Sequence, residues 1–103
     1  MAIENEVVII AEVVALPGKR EELRRAIVED FVPRSRAEEG VSVFQPHENR
    51  DTPGHFVLYE RFRDQAAIDS LFAQEHFARF KQILASLAEG SEPKRTYLRA
   101  LTE

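Results

Sequence analysis

The sequence predicts an α+β fold of the ferredoxin-like type, β-α-β-β-α-β, in which an antiparallel four-stranded sheet carries its helices on one face. Three observations predict it. The β-branched run Val7 to Leu16 is apolar on both of its alternating faces, two stretches of helical periodicity follow at residues 19–39 and 65–87, and strand-like segments at 41–47 and 55–62 flank a loop rich in Asn, Asp, Pro and Gly. The 103 residues suit one domain, 1–103, small enough that burial against a partner would add usefully to its core.

In "VVIIAEVVAL" the odd positions (Val7, Ile9, Ala11, Val13, Ala15) and the even positions (Val8, Ile10, Glu12, Val14, Leu16) form two nearly apolar faces, and Pro17-Gly18 turns the chain. From Lys19 to about Glu39, Leu23, Ala26, Ile27 and Phe31 recur at helical spacing, so this helix covers one of the two faces. Pro33 removes a helical hydrogen bond and is expected to kink the last turns or split them off, with Gly40 as the stop. Val41 to His47 and His55 to Phe62 read as a hairpin around "ENRDTPG". Asp64 is the expected N-cap of a helix from Gln65 to about Ala73, whose pattern resumes after a break near Gln74, runs through Leu87 and ends at Gly90 and Pro93. Thr96 to Leu101, "TYLRAL", is the expected last strand. Helices on one face leave Val8, Ile10, Val14 and Leu16, or their odd neighbours, uncovered on the other, and a homodimer packed sheet face to sheet face is the simplest cover.

The net charge of −4 is spread along the chain, with no basic block longer than Lys94-Arg95, which disfavours a nucleic-acid partner. Zero cysteines exclude disulfides, Cys-ligated metals and thiol nucleophiles. The two acids in "MAIENE" do not suit a secretory leader and the longest apolar run, Val7 to Ala11, is far short of a membrane span, so no membrane contact and a cytoplasmic location are expected. There is no GxGxxG, P-loop or nucleophile elbow. Any enzyme here works with few polar groups in a mostly apolar pocket.

His76, in "LFAQEHFARF", lies on the inward stripe Phe72, His76, Phe80, Ile83, Leu87. It is either a core histidine bonded to a carbonyl or a buried acid, or a proton-transfer group lining a cavity. Glu60 shares a strand face with Phe56, Leu58 and Phe62, so it needs an ion-pair partner such as Arg36 or Arg99, or its pKa rises by desolvation. Glu12, a second acid in an apolar face, is expected in an interface salt bridge. His47 and His55 flank the loop but make at best half a metal site, so no metal is expected. Tyr59 and Tyr97 offer strand hydroxyls able to hold a phenolic or carbonyl oxygen, or serve as core-edge residues.

Together "ALPGKREEL", "SRAEEGVSVF", "PGHFVLYERFRDQAAID" and "EHFARF" resemble, in order and spacing across nearly the whole chain, the antibiotic biosynthesis monooxygenase family of small dimeric α+β-barrel proteins. The resemblance implies oxidation of a small quinol-like or phenolic substrate by dioxygen with no cofactor, because a deprotonated electron-rich phenol can itself reduce oxygen. The resemblance makes His76, in the matching "HF", the candidate proton-transfer group; beside it we expect Glu60 as the second catalytic candidate, orienting His76 or the substrate, with Arg36 and Tyr97 as anion or oxygen ligands, Tyr59 as a further substrate contact, and Phe44 and Phe72 as apolar walls. The chain departs from the family pattern at Leu71, where a second histidine is common, at Glu75, where proline is frequent, at Phe44 in place of tyrosine and at Phe62 in place of tryptophan. Without Trp, haem degradation as done by some relatives is disfavoured. An isomerase of a small hydroxy-ketone phosphate, using Lys94, Arg95 or Arg99, and a non-catalytic dimeric ligand binder are the alternatives.

Overall fold

A computed structural model describes residues 4–103. Residues 1–3, on which the reading of the amino terminus rests in part, lie outside them. The element order is β1 (Val7–Val14), α1 (Arg20–Ala26), a π-helical turn (Ile27–Phe31), α2 (Val32–Arg36), β2 (Val41–Glu48), β3 (His55–Phe62), α3 (Gln65–Phe72), α4 (Glu75–Leu87) and β4 (Lys94–Leu98). The sheet runs β2-β3-β1-β4 with every neighbouring pair antiparallel, the ferredoxin-like arrangement.

The odd residues of β1 face the helices. Ile9, Ala11 and Val13 join Phe56, Leu58 and Phe62 of β3 in one core with Leu23, Ile27, Ile68, Leu71, Phe80 and Leu84 from the helices. The even residues Val8, Ile10, Glu12 and Val14 stand on the open face, paired across strands with Arg61, Tyr59, Val57 and His55. Val8 is nevertheless buried, between Arg61 and Leu98, while Ile10 and Val14 are half-buried. Glu12 is exposed there, opposite Lys94. A bulge between Val41 and Val43 changes the parity of β2, which lets both Val41 and Phe44 face the helices.

The first helical stretch does not simply kink at Pro33. Its middle opens into the π turn, where the Val32 N–H reaches back five residues to the Ile27 carbonyl. Pro33 has no N–H to give, so the ladder loosens immediately before it. The wider turn brings both Phe31 and Val32 into the core, along with Ser35 one turn on. Asp64 caps α3 as its side chain accepts the Ala67 N–H at 3.0 Å. The break falls at Ala73-Gln74, where the carbonyl of Gln74 starts α4 by accepting from Phe77.

The last strand begins two residues before its expected start and ends three before its expected end, at Lys94–Leu98, because β1 offers partners only from Val8 to Glu12 on that edge. Further along the same edge, Ala15 bridges Ala88, the Leu16 N–H donates to the Leu87 carbonyl, and the Glu89 N–H donates to the Val14 carbonyl. Both the end of α4 and β4 are thus fastened to the first strand. Among the described residues no helix is long and apolar enough to cross a membrane.

Candidate functional site

Alternation along the four adjacent strands builds one row on the helix-facing side of the sheet: Phe44 on β2, Glu60 on β3, Ile9 on β1 and Tyr97 on β4. Glu60 is 4% exposed, yet no side chain among the described residues gives it a hydrogen bond or an ion pair. The arginine expected to neutralise it is elsewhere: Arg36 donates from Nε to the Phe44 carbonyl at 2.8 Å, fastening α2 to the sheet edge. Burial therefore acts almost unopposed and pushes the Glu60 carboxyl up to about 8, with only the charge of Arg95 pulling the other way. A group that ionises there can both take and return a proton near neutrality.

A chain of aromatic rings extends from Phe44 at the edge of this row. Phe31 meets Phe44 edge to face with 5.5 Å between ring centres, stacks on Phe80 at 3.9 Å, and lies 6.0 Å from Phe77 and 5.9 Å from the His76 ring. Phe77 in turn stacks on Phe72 at 4.4 Å. The guanidinium carbon of Arg95 sits 4.9 Å from the centre of Phe72 and 5.5 Å from that of Phe77, within cation–π range of both.

His76 is on the inward stripe of α4, as its spacing requires, and is 7% exposed. Its partner is neither a carbonyl nor an acid. Nε2 lies 3.1 Å from the hydroxyl of Ser35, which is itself completely buried. Burial pulls the imidazole below its ordinary value, and Glu38 and Asp30 offset part of that pull. On its outer side the ring lines an open cleft of about 360 Å³ between α2 and the start of α4, with Arg34, Glu38, Gln74 and Arg79. Asp30 ties the walls together by accepting from Arg34 at 2.7 Å and from Arg79 at 3.1 Å; these bonds hold its carboxyl below the usual range although burial opposes them.

The fold thus links Phe44, paired with Glu60, through Phe31 to Phe77 and Phe72, and connects His76 to this chain of rings through Phe31. Glu60 does not orient His76; Ser35 does. Tyr59 is on the open face, its hydroxyl accepting from Arg61 at 3.1 Å, and the sheet separates it from the other candidates. Tyr97 faces the helix side but is 53% exposed, at the rim and two strands from Glu60. Leu71, where a histidine is common in relatives, is fully buried core.

Ser35 and Arg95 are the polar groups that sequence reasoning left out of this site. A signal existed for Ser35, because it continues the stripe Leu23, Ile27, Phe31 by one further step of four; its arginine neighbours disguise it. Sequence reasoning offers Arg95 only as a phosphate ligand of the isomerase alternative, because the strand is expected to start at Thr96 and the inward position two residues before Tyr97 goes uncounted.

The sequence profile of the antibiotic biosynthesis monooxygenases matches residues 6–83. A protein of Mycobacterium tuberculosis named "Putative monooxygenase Rv0793" is 30% identical over 83 residues, 81% of this chain and 80% of its own. Its solved structure superposes with a TM-score of 0.85 over 95% of this chain and 97% of that one. The crystal structure of PA3566 from Pseudomonas aeruginosa, 32% identical, gives the same TM-score over 95% and 96% of the two chains.

Proposed function

The chain belongs to the antibiotic biosynthesis monooxygenase family, and from that premise we propose that it oxidises a small quinol-like or phenolic substrate with dioxygen and without a cofactor. One observation carries the reading: the unpartnered carboxyl of Glu60, buried between Phe44 and Ile9 and ionising at about 8. Its carboxylate takes the phenolic proton, and the electron-rich anion that remains reduces oxygen. Quinol plus dioxygen gives hydroxyquinone plus water. One oxygen atom forms the new bond to ring carbon and the other leaves as water; the four electrons come from that carbon and from the conversion of quinol to quinone. Phe44 and Phe72 supply the apolar walls, and His76 with Ser35 is the second proton-handling pair, open to solvent through its cleft.

A second copy on the open sheet face belongs to the same reading, since Ile10, Val14 and Leu98 bring apolar surface to that side.

Oxygen uptake with a panel of reduced quinones under metal-free conditions tests the activity. Wild type is expected to consume oxygen and to place one atom of labelled dioxygen in the product, and Glu60→Gln to lose about 10²–10⁴ of the rate. Equal rates for wild type and His76→Ala would remove His76 from the mechanism. Turnover of a hydroxy-ketone phosphate under strict anaerobiosis, with no oxygen uptake on any quinol, would overturn the proposal.

A further inference from the structure

Arg95 is turned toward the helices, whereas its strand neighbours Lys94 and Thr96 pair on the open face with Glu12 and Ile10. Beneath it in the register is Ala11, a small residue of the packed core. The side chain is 17% exposed and lies over the rings of Phe72 and Phe77. One of its N–H groups reaches Glu92 at 3.2 Å, a carboxylate that Lys81 also holds at 2.8 Å. A guanidinium has five such donors, and the others meet no acceptor among the described residues.

Glu60 is the complementary case, a buried acid that no donor among the described residues reaches. Arg95 is the charge that acts on it, yet the two form no ion pair. A cation with spare donors over Phe72 and Phe77 and an acid with spare acceptors beside Phe44 thus stand on the same side of the sheet without meeting, an arrangement that favours a guest bearing an ionisable oxygen on a flat ring.

We infer that Arg95 receives the ionised oxygen of an aromatic substrate, with Phe72 and Phe77 beside the ring and Glu60 as the acceptor of its proton. This rests on the function proposed above and names the group that holds the anion. In the step the phenolic O–H bond breaks, its proton forms a new O–H bond on the Glu60 carboxylate, and the electron pair stays on the substrate oxygen opposite Arg95. Charge is conserved, since one carboxylate is exchanged for one phenolate beside a fixed cation. Neither Lys94 nor Arg99 serves, because Lys94 belongs to the open face and Arg99 is exposed beyond the end of β4.

The test uses p-nitrophenol, which no dioxygen chemistry consumes here and whose anion absorbs visible light. Bound to the wild type it is expected to ionise roughly 1–3 pH units lower than in water, as an opposite charge a few ångströms away requires. In Arg95→Met, which keeps an unbranched stem against the two rings, the ionisation should rise to the value in water or above it, since burial raises an acid; in Arg95→Lys most of the shift should remain. Circular dichroism establishes that each variant folds, and Arg95→Gln replaces Arg95→Met if the latter does not. Ionisation of the bound phenol at its water value in the wild type, or an unchanged shift in a folded Arg95→Met or Arg95→Gln, would overturn the inference. Because the readout is ionisation and not turnover, a protein that binds phenolate through Arg95 but consumes no oxygen would leave this inference standing and bring down the monooxygenase reading alone.

Discussion

The hydroxyl of Ser35 and Nε2 of His76, 41 residues apart in sequence, meet at 3.1 Å in the interior and join α2 to α4. Removing one partner of a buried hydrogen bond leaves the other with its desolvation cost unrelieved. Ser35→Ala is therefore expected to destabilise the protein by about 1–3 kcal/mol in urea denaturation. A change below about 0.5 kcal/mol, the ordinary range for a surface substitution, would show that the bond is not held in solution.

Glu60 makes stability depend on pH. The unfolded chain releases this proton near 4.5 and the folded chain near 8, so the folded state holds the additional proton between those values. The stabilisation is full below pH 4.5, declines as pH rises and is gone above about 8. Glu60→Gln cannot ionise, so wild type should lose on the order of 2–5 kcal/mol relative to it across this window. Parallel stability curves for the two proteins would mean that Glu60 has found a partner.

The same titration governs catalysis in the opposite direction. A base must be ionised to act, so kcat/KM for a quinol should rise with pH and level off above about 8. A profile that stays flat from pH 5 to about 9 would assign proton removal to another group.

Gly40 and Gly18 both have positive φ, +88° and +79°, but only one is crowded. A Cβ on Gly40 would lie 2.6 Å from that of Ala67 on α3, whereas one on Gly18 meets nothing. Gly18→Ala should cost about 1 kcal/mol through backbone strain alone, and Gly40→Ala clearly more, because β2 and α3 must part. Thermal melting of the two variants gives the order.

Ile10 occupies the middle of the open face, between Tyr59 and Thr96. Ile10→Asp should leave the fold intact and convert a sedimenting dimer into a monomer, since a charge would have to be buried between two sheets. Sedimentation of the wild type as a stable monomer at micromolar concentration would refute the pairing.

The strands and the helical stripes were legible because each rests on a local period: Val41, Val7 and His55 begin strands where their patterns begin, and Asp64 caps where a cap was due. What local periods do not carry is the choice between two equivalent faces. For β1 that choice was made by the helices, which took Ile9, Ala11 and Val13. The π turn before Pro33 was legible as a disturbance but not in direction. The placement of Tyr59 opposite Glu60's side of the sheet follows from simple alternation once the core face is known; the partner of His76 required the tertiary fold, because Ser35 comes from a different helix.

The two attachments along one edge of β1, residues 87–89 near its end and 94–98 beside its middle, leave only a short arch between them. Backbone amides on both sides of that arch depend on the same strand for their partners, so they should exchange with deuterium as one cooperative unit, later than the exposed tail after Leu98. The guanidinium of Arg95 is then mounted on a segment tied at both ends to the first strand, which limits how far its position can drift.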